Sequence, residues 1–323
     1  MKGLELSRRY FETVARDSLE ARFGDAAAHM SIGLAGEGSE CLGFDDQISQ
    51  DHDFSPAFCL WLDRADYEAL GPALKEWYAS LPKAFLGFDD SRDTPNRACR
   101  VGVFDSRSWF ARYLGPELPP SRPMTWLGLR EEVLAAASSG ELFQDGSREF
   151  AQIRQVLLAG YPEDVRLKKL AARLAAMAQS GQYNYARCMR RGDAVAALLC
   201  VTEFLKAAMS AAYLLEGRYM PYYKWSFRGM EDFTGLRELR PLLRRLAETP
   251  EQEAAWSRPV FSGAVNREDC RAELMERCCA LIADACRQRG LTQSGADFLD
   301  PVARDVQSRI RDPQMRTLPL LLG

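Results

Sequence analysis

The sequence predicts an α+β fold, a small mixed β-sheet flanked by helices and followed by an α-helical bundle. Short apolar runs at residues 30–34, 53–62 and 97–104 alternate with helical patterns in the first part of the chain. A proline-rich stretch, GPELPPSRP at 115–123, then breaks the alternation, and from Trp126 onward the patterns are helical. At 323 residues the chain exceeds the size at which one core usually stops growing. Two domains are therefore expected, residues 1–124 and 125–323.

Residues 4–23 carry Leu6, Tyr10, Val14 and Leu19 at helical spacing, with Gly24 as a stop, and read as a lid or packing helix. Residues 30–34 form a short strand that runs into a turn at 36–39. Residues 53–62 read as a second strand, in which Pro56 implies an edge position or a bulge. A helix over 64–80 and a third strand over 97–104 complete the first domain. Helices are expected at 127–138, 147–159, 162–180, 193–215, 235–247 and 267–289.

Composition narrows the functional classes. The formal charge of −3 and pI near 5.7 give no global field to hold long nucleic acid. Nine cysteines, odd in number and without a CxxC pair, point to a reducing compartment. The N-terminal stretch is charged throughout, unlike a signal peptide, and no apolar run is expected to approach membrane-spanning length. A cytoplasmic protein without a membrane partner is expected. His29 has no partner at ligand spacing for zinc, and Cys270, Cys278, Cys279 and Cys286 read as core or surface thiols.

The segment GEGSECLGFDDQISQDHDF at 36–54 carries the chemistry. On a strand, Asp51 and Asp53 would share one face and His52 the other, where it would pack or hydrogen-bond. Paired carboxylates suit a divalent cation beside a phosphate chain, and a solvated acidic turn is the competing reading. Gly36, Gly38 and Ser39 would let a turn approach phosphate closely, with a helix starting at Ser39 as added support. An ordinary strand-to-helix turn has the same composition.

A glycine-serine turn after a strand, followed by Asp-x-Asp, resembles the nucleotidyltransferases related to DNA polymerase beta, among them the aminoglycoside adenylyltransferases. The string GSECLGFDDQISQDHDF is similar to an uncharacterised bacterial family, a domain of unknown function with a nucleotidyltransferase-like N-terminal part. YPEDVRLKKLAA and EGRYMPYYKW, in the second half, also resemble that family's patterns. The resemblance implies that Gly38 and Ser39 contact nucleotide phosphate and that Asp51 and Asp53 bind Mg²⁺ or Mn²⁺. It also implies a third carboxylate on a later strand. The only acid in RACRVGVFDS is Asp105, which would reach the site or cap the helix that follows.

In the second half, EGRYMPYYKW offers Tyr219, Tyr222 and Trp225 as stacking faces or as core. Lys224 would reach phosphate, and the resemblance to antibiotic nucleotidyltransferases, which can recruit a glutamate from their helical part, makes Glu216 a candidate base alongside its reading as a surface residue. The expected site lies in the cleft between the domains. The expected function is transfer of a nucleoside monophosphate, AMP from ATP or from another nucleoside triphosphate, to a hydroxyl of a small-molecule acceptor. Two alternatives remain open, a nucleotide-binding regulatory or interaction module and a protein-modifying nucleotidyltransferase.

Overall fold

The computed structural model describes residues 1–256, 266 and 268–323. Four short strands, β1 (Ser31–Leu34), β2 (Cys59–Leu62), β3 (Gly102–Asp105) and β4 (Glu141–Gln144), form one mixed sheet in the order β3-β2-β1-β4. β1 runs antiparallel to β2 and to β4, while β2 and β3 are parallel with Cys59 opposite Gly102 and Leu62 opposite Asp105. Every residue of β2 is buried, which explains its unbroken apolar run CLWL. On one face Ile32, Leu60, Leu62 and Val103 pack against Tyr10, Phe11, Leu19 and Trp77. Toward the other, Trp61 stacks on Phe150 at 4.3 Å and meets the edge of Trp109 at 5.4 Å.

The N-terminal helix is a packing element. It runs as Gly3–Tyr10 and Arg16–Phe23, joined by the wider π-turn Phe11–Ala15, and places Leu6, Tyr10, Phe11, Ala15 and Leu19 in the core. The helix Arg64–Ser80 stands where the sequence placed it.

Two strand assignments change. Asp53 adopts a left-handed φ of +53° and Pro56 has no N–H to donate, so pairing starts only at Cys59. Asp51 and Asp53 are therefore not on a strand, and alternation along a pleat does not align their carboxylates. Because Pro56 falls outside β2, that strand takes an inner position and needs neither the edge nor the bulge that Pro56 implied. Residues Arg97–Arg100 form one helical turn ahead of β3, which places Arg97 and Arg100 on the same side at i and i+3.

The chain divides into two compact units. Unit 1 comprises residues 1–121 and 129–160, and unit 2 comprises 122–128 and 161–323. The single cut expected at 124/125 gives way to this interleaving because β4 returns to pair with β1. β4 was hidden in the sequence, since four half-exposed residues between two helices carry little periodicity.

Unit 2 is helical, built on Glu163–Met177, Ala194–Leu215, Leu239–Glu248, Cys270–Gln288 and Leu299–Ser308. Arg267, where one helix was expected to begin, lies outside the described residues. The helix Ala194–Leu215 corrects the reading of apolar runs, because its 22 residues are long and apolar enough to cross a membrane. Phe204, Ala207, Ala208 and residues 210–215 of it are buried in unit 2. Lys168, fully buried, donates to Gln307 Oε1 and to the carbonyls of Pro319 and Leu320 at 2.9–3.1 Å, which ties down the C-terminal segment.

Candidate functional site

The strand directions gather one polar constellation in unit 1. β1 ends where β2 and β3 begin, so the turn 36–41, the segment 53–58 and the helical turn Arg97–Arg100 lie at the same end of the sheet. Gly36 and Gly38 hold φ of +113° and +142°, which side-chain-bearing residues rarely adopt. A Cβ on Gly38 would fall 2.5 Å from Glu40 Oε2 and collide with the Arg100 guanidinium, so that position requires glycine. The amides of Leu42, Gly43 and Phe44 fold back onto the carbonyls of Ser39 and Glu40, giving a closed turn rather than a helix starting at Ser39. Among the described residues, the backbone amides of 37–41 donate to no protein acceptor. A run of unpaired amides in such a turn is the makings of an anion-binding nest.

Two guanidiniums flank this turn. Glu40, buried, accepts from Arg97 Nη1 at 3.3 Å and from Arg100 Nη2 at 2.7 Å. Arg97 Nη2 donates to the Ser55 carbonyl at 3.0 Å, and Arg100 Nη1 faces Asp53 Oδ2 at 3.6 Å. Asp53 also accepts from Thr94, from its N–H at 2.7 Å and its hydroxyl at 3.0 Å. Ser55 donates to Asp93 Oδ2 at 2.5 Å. Sequence reasoning missed Glu40, Arg97 and Arg100. Their signal was present in the acid directly after Ser39 and in the R-x-x-R spacing of RACR, which only a helical turn turns into one face.

The expected site residues separate. Gly38, Ser39 and Asp53 belong to this constellation. Asp51 stands 64 % exposed and pairs with His52 Nδ1 at 2.8 Å. Asp105 lies in register with Leu62 at the opposite end of the sheet, where it caps the next helix by accepting from Ser108 N at 2.7 Å. Three residue steps along the strand separate it from Gly102, about 10 Å at the usual rise, so it is not the third carboxylate of this site. In unit 2, Glu216 accepts from the Gly235 amide at 3.1 Å. Lys224 is exposed, with its ammonium 5.0 Å over the Trp225 ring. Tyr222 and Tyr223, 53 % and 73 % exposed, are not core.

Asp51 and Asp53 do not fit the expected Mg²⁺ as they stand. Both oxygens of Asp53 are taken by Thr94 and its outer face by the Arg100 guanidinium, while Asp51 turns to solvent and His52. A hard cation needs carboxylate oxygens that converge and are free of other cations.

Beside the constellation, Thr94 and Arg97 share a cavity of about 450 Å³ with Tyr10, Tyr78, Asp93 and Phe104. Its size is that of a small-molecule pocket. Burial pushes the Asp93 carboxyl above its ordinary range, against the Ser55 hydrogen bond and Arg97, which pull it down. Burial also pushes the Cys41 thiol well up and that of Cys59 up to about 12, so neither offers a thiolate at neutral pH.

A family model described as "Domain of unknown function (DUF4037)" matches residues 126–226. The match includes the segment 216–225 and does not reach the turn 36–41 or Arg97–Arg100. Neither the curated proteins nor the solved structures yield a match.

Proposed function

We propose that unit 1 is a nucleotidyltransferase-type domain that seats a nucleoside triphosphate, ATP in the first instance, on the turn 36–41. The observation that carries this reading is the set of unpaired amides at 37–41, folded around two left-handed glycines and flanked by Arg97 and Arg100. Amides aimed at one concavity bind phosphate oxygens, and guanidiniums add paired, charge-assisted donors. In the reaction, an acceptor hydroxyl oxygen attacks the α-phosphorus as its proton passes to water, the bond from the α-phosphorus to the bridging oxygen breaks, and pyrophosphate leaves with that oxygen. The cavity lined by Tyr10, Tyr78 and Phe104 is the seat for a small-molecule acceptor with an apolar surface. All nine cysteines are free thiols, in keeping with a reducing, cytoplasmic setting.

A second reading, nucleotide binding without transfer, has its own support in the Arg100 contact on Asp53 and in Asp105 at the far end of the sheet. Calorimetry with ATP, paired with pyrophosphate release over a panel of hydroxyl acceptors, separates the two. Binding with acceptor-dependent pyrophosphate release supports transfer, and binding without release across the panel supports the second reading. Failure of ATP to bind would remove both.

A further inference from the structure

The cation expected at Asp53 has a resident rival. Arg100 sits between two buried carboxylates, with Nη2 at 2.7 Å from Glu40 and Nη1 at 3.6 Å from Asp53. Together with Arg97 on Glu40, these four side chains are two acids and two bases. Within these four the formal charges cancel, and Glu40 and Asp53 each already face a guanidinium, with Asp93, bonded to Ser55, a further carboxyl nearby. A divalent ion on Asp53 would have to take the oxygens that the Thr94 N–H and hydroxyl now occupy, and would face a guanidinium.

We propose that this unit binds the triphosphate of a nucleotide without a divalent cation, Arg100 supplying N–H donors to the phosphate oxygens in the place Mg²⁺ would otherwise take. The inference rests on the nucleotide reading of the turn and concerns binding alone. A phosphate demands less rearrangement than a metal. The amides of 37–41 have no acceptor to give up. Arg100 carries five N–H donors, its buried Nε has no hydrogen-bond partner, and its side chain as a whole is 24 % exposed. Its guanidinium also packs against the position where Gly38 lacks a Cβ, so it lies beside the turn that carries the unpaired amides. Arg97 has another task. At 6 % exposure, with bonds to Glu40 and to the Ser55 carbonyl, it holds the Glu40 carboxylate in place.

Calorimetric titration of the full chain with ATP, and with inorganic tripolyphosphate as a base-free probe, tests this in EDTA and in Mg²⁺. The native protein is expected to bind ATP in EDTA within about threefold of its affinity in Mg²⁺, since the guanidinium supplies the charge-assisted contacts. Arg100→Gln should weaken binding in EDTA by about tenfold or more. Asp53→Asn should tighten it about threefold, because Arg100 loses a charged competitor, while asparagine tolerates the left-handed backbone and still accepts from Thr94 N. Should Arg100→Gln fail to fold, the native comparison and Asp53→Asn decide without it. Binding that requires Mg²⁺, or that Asp53→Asn weakens, overturns the inference and leaves the nucleotide reading standing. No binding of ATP under either condition overturns both.

Discussion

The two ends of the four-stranded sheet differ in what they do with their polar groups. At the end where β2 and β3 finish, side chains close on one another. Asp63 accepts from Ser147 Oγ at 2.5 Å and Glu149 N at 3.0 Å, Ser31 links to Asp145 at 3.1 Å, and Asp105 caps a helix. At the end where they begin, Glu40 and Asp53 are matched by Arg97 and Arg100 but a run of backbone amides is left without acceptors. The strands are shared, so the contrast arises from the connections. The first end meets most of its polar groups internally, Asp105 Oδ2 excepted, while the second leaves backbone donors unpaired, as the proposed phosphate site requires.

The sharpest way to break this comparison is Gly38→Ala. It forces a Cβ into Glu40 and Arg100 at a φ of +142°, and should cost about 2–4 kcal/mol and lower ATP affinity by about a hundredfold. Chemical denaturation and calorimetry read the two effects, and an unaltered ATP affinity would remove the turn from the site. Next in size, Glu40→Ala leaves buried Arg97 without its carboxylate and takes one of Arg100's two, and should destabilise by about 3–5 kcal/mol. Equal melting of variant and native protein would show that the pairing contributes nothing.

At the sealed end the effects should be purely structural. Asp105→Ala removes a helix cap and should cost about 1 kcal/mol without touching ATP binding or any pyrophosphate release. Loss of turnover with intact folding would return Asp105 to the catalytic list. The smallest effect concerns pH. Asp93 is raised in the folded state by burial, so folded protein holds its proton to higher pH than unfolded protein does. Its contribution is fully present below the ordinary carboxylate value and declines as pH rises through the raised one. Asp93→Asn should flatten that decline in melting temperature measured across the acidic range, and an unchanged slope would assign the dependence to another group.

Local pattern and fold agree where a segment's own period settles its structure. The 64–80 helix and β1 stood in the sequence, as did the long helix at 194–215, because apolar periodicity and a glycine or aspartate at the boundary are local signals. The pair Asp51 and Asp53 misled for the converse reason. A D-x-D string reads as strand only if the backbone is extended, and the left-handed Asp53 breaks that assumption in a way no side-chain pattern announces. Arg97 and Arg100 were hidden inside an apparent strand, since RACRVGVF carries enough apolar residues to mask one helical turn.

The sequence by itself determined that a strand is followed by a glycine-rich turn, that acids follow closely, and that the second half is helical. Those properties depend on residues within a few positions of one another. Tertiary structure decided which acids meet which bases. Glu40 meets Arg97 and Arg100 across 57 and 60 residues, because β1 and β2 run antiparallel and β2 and β3 parallel. The same strand directions send Asp105 to the other end of the sheet. Ion pairing between distant segments depends on strand order and direction, which long-range burial selects and no short motif encodes.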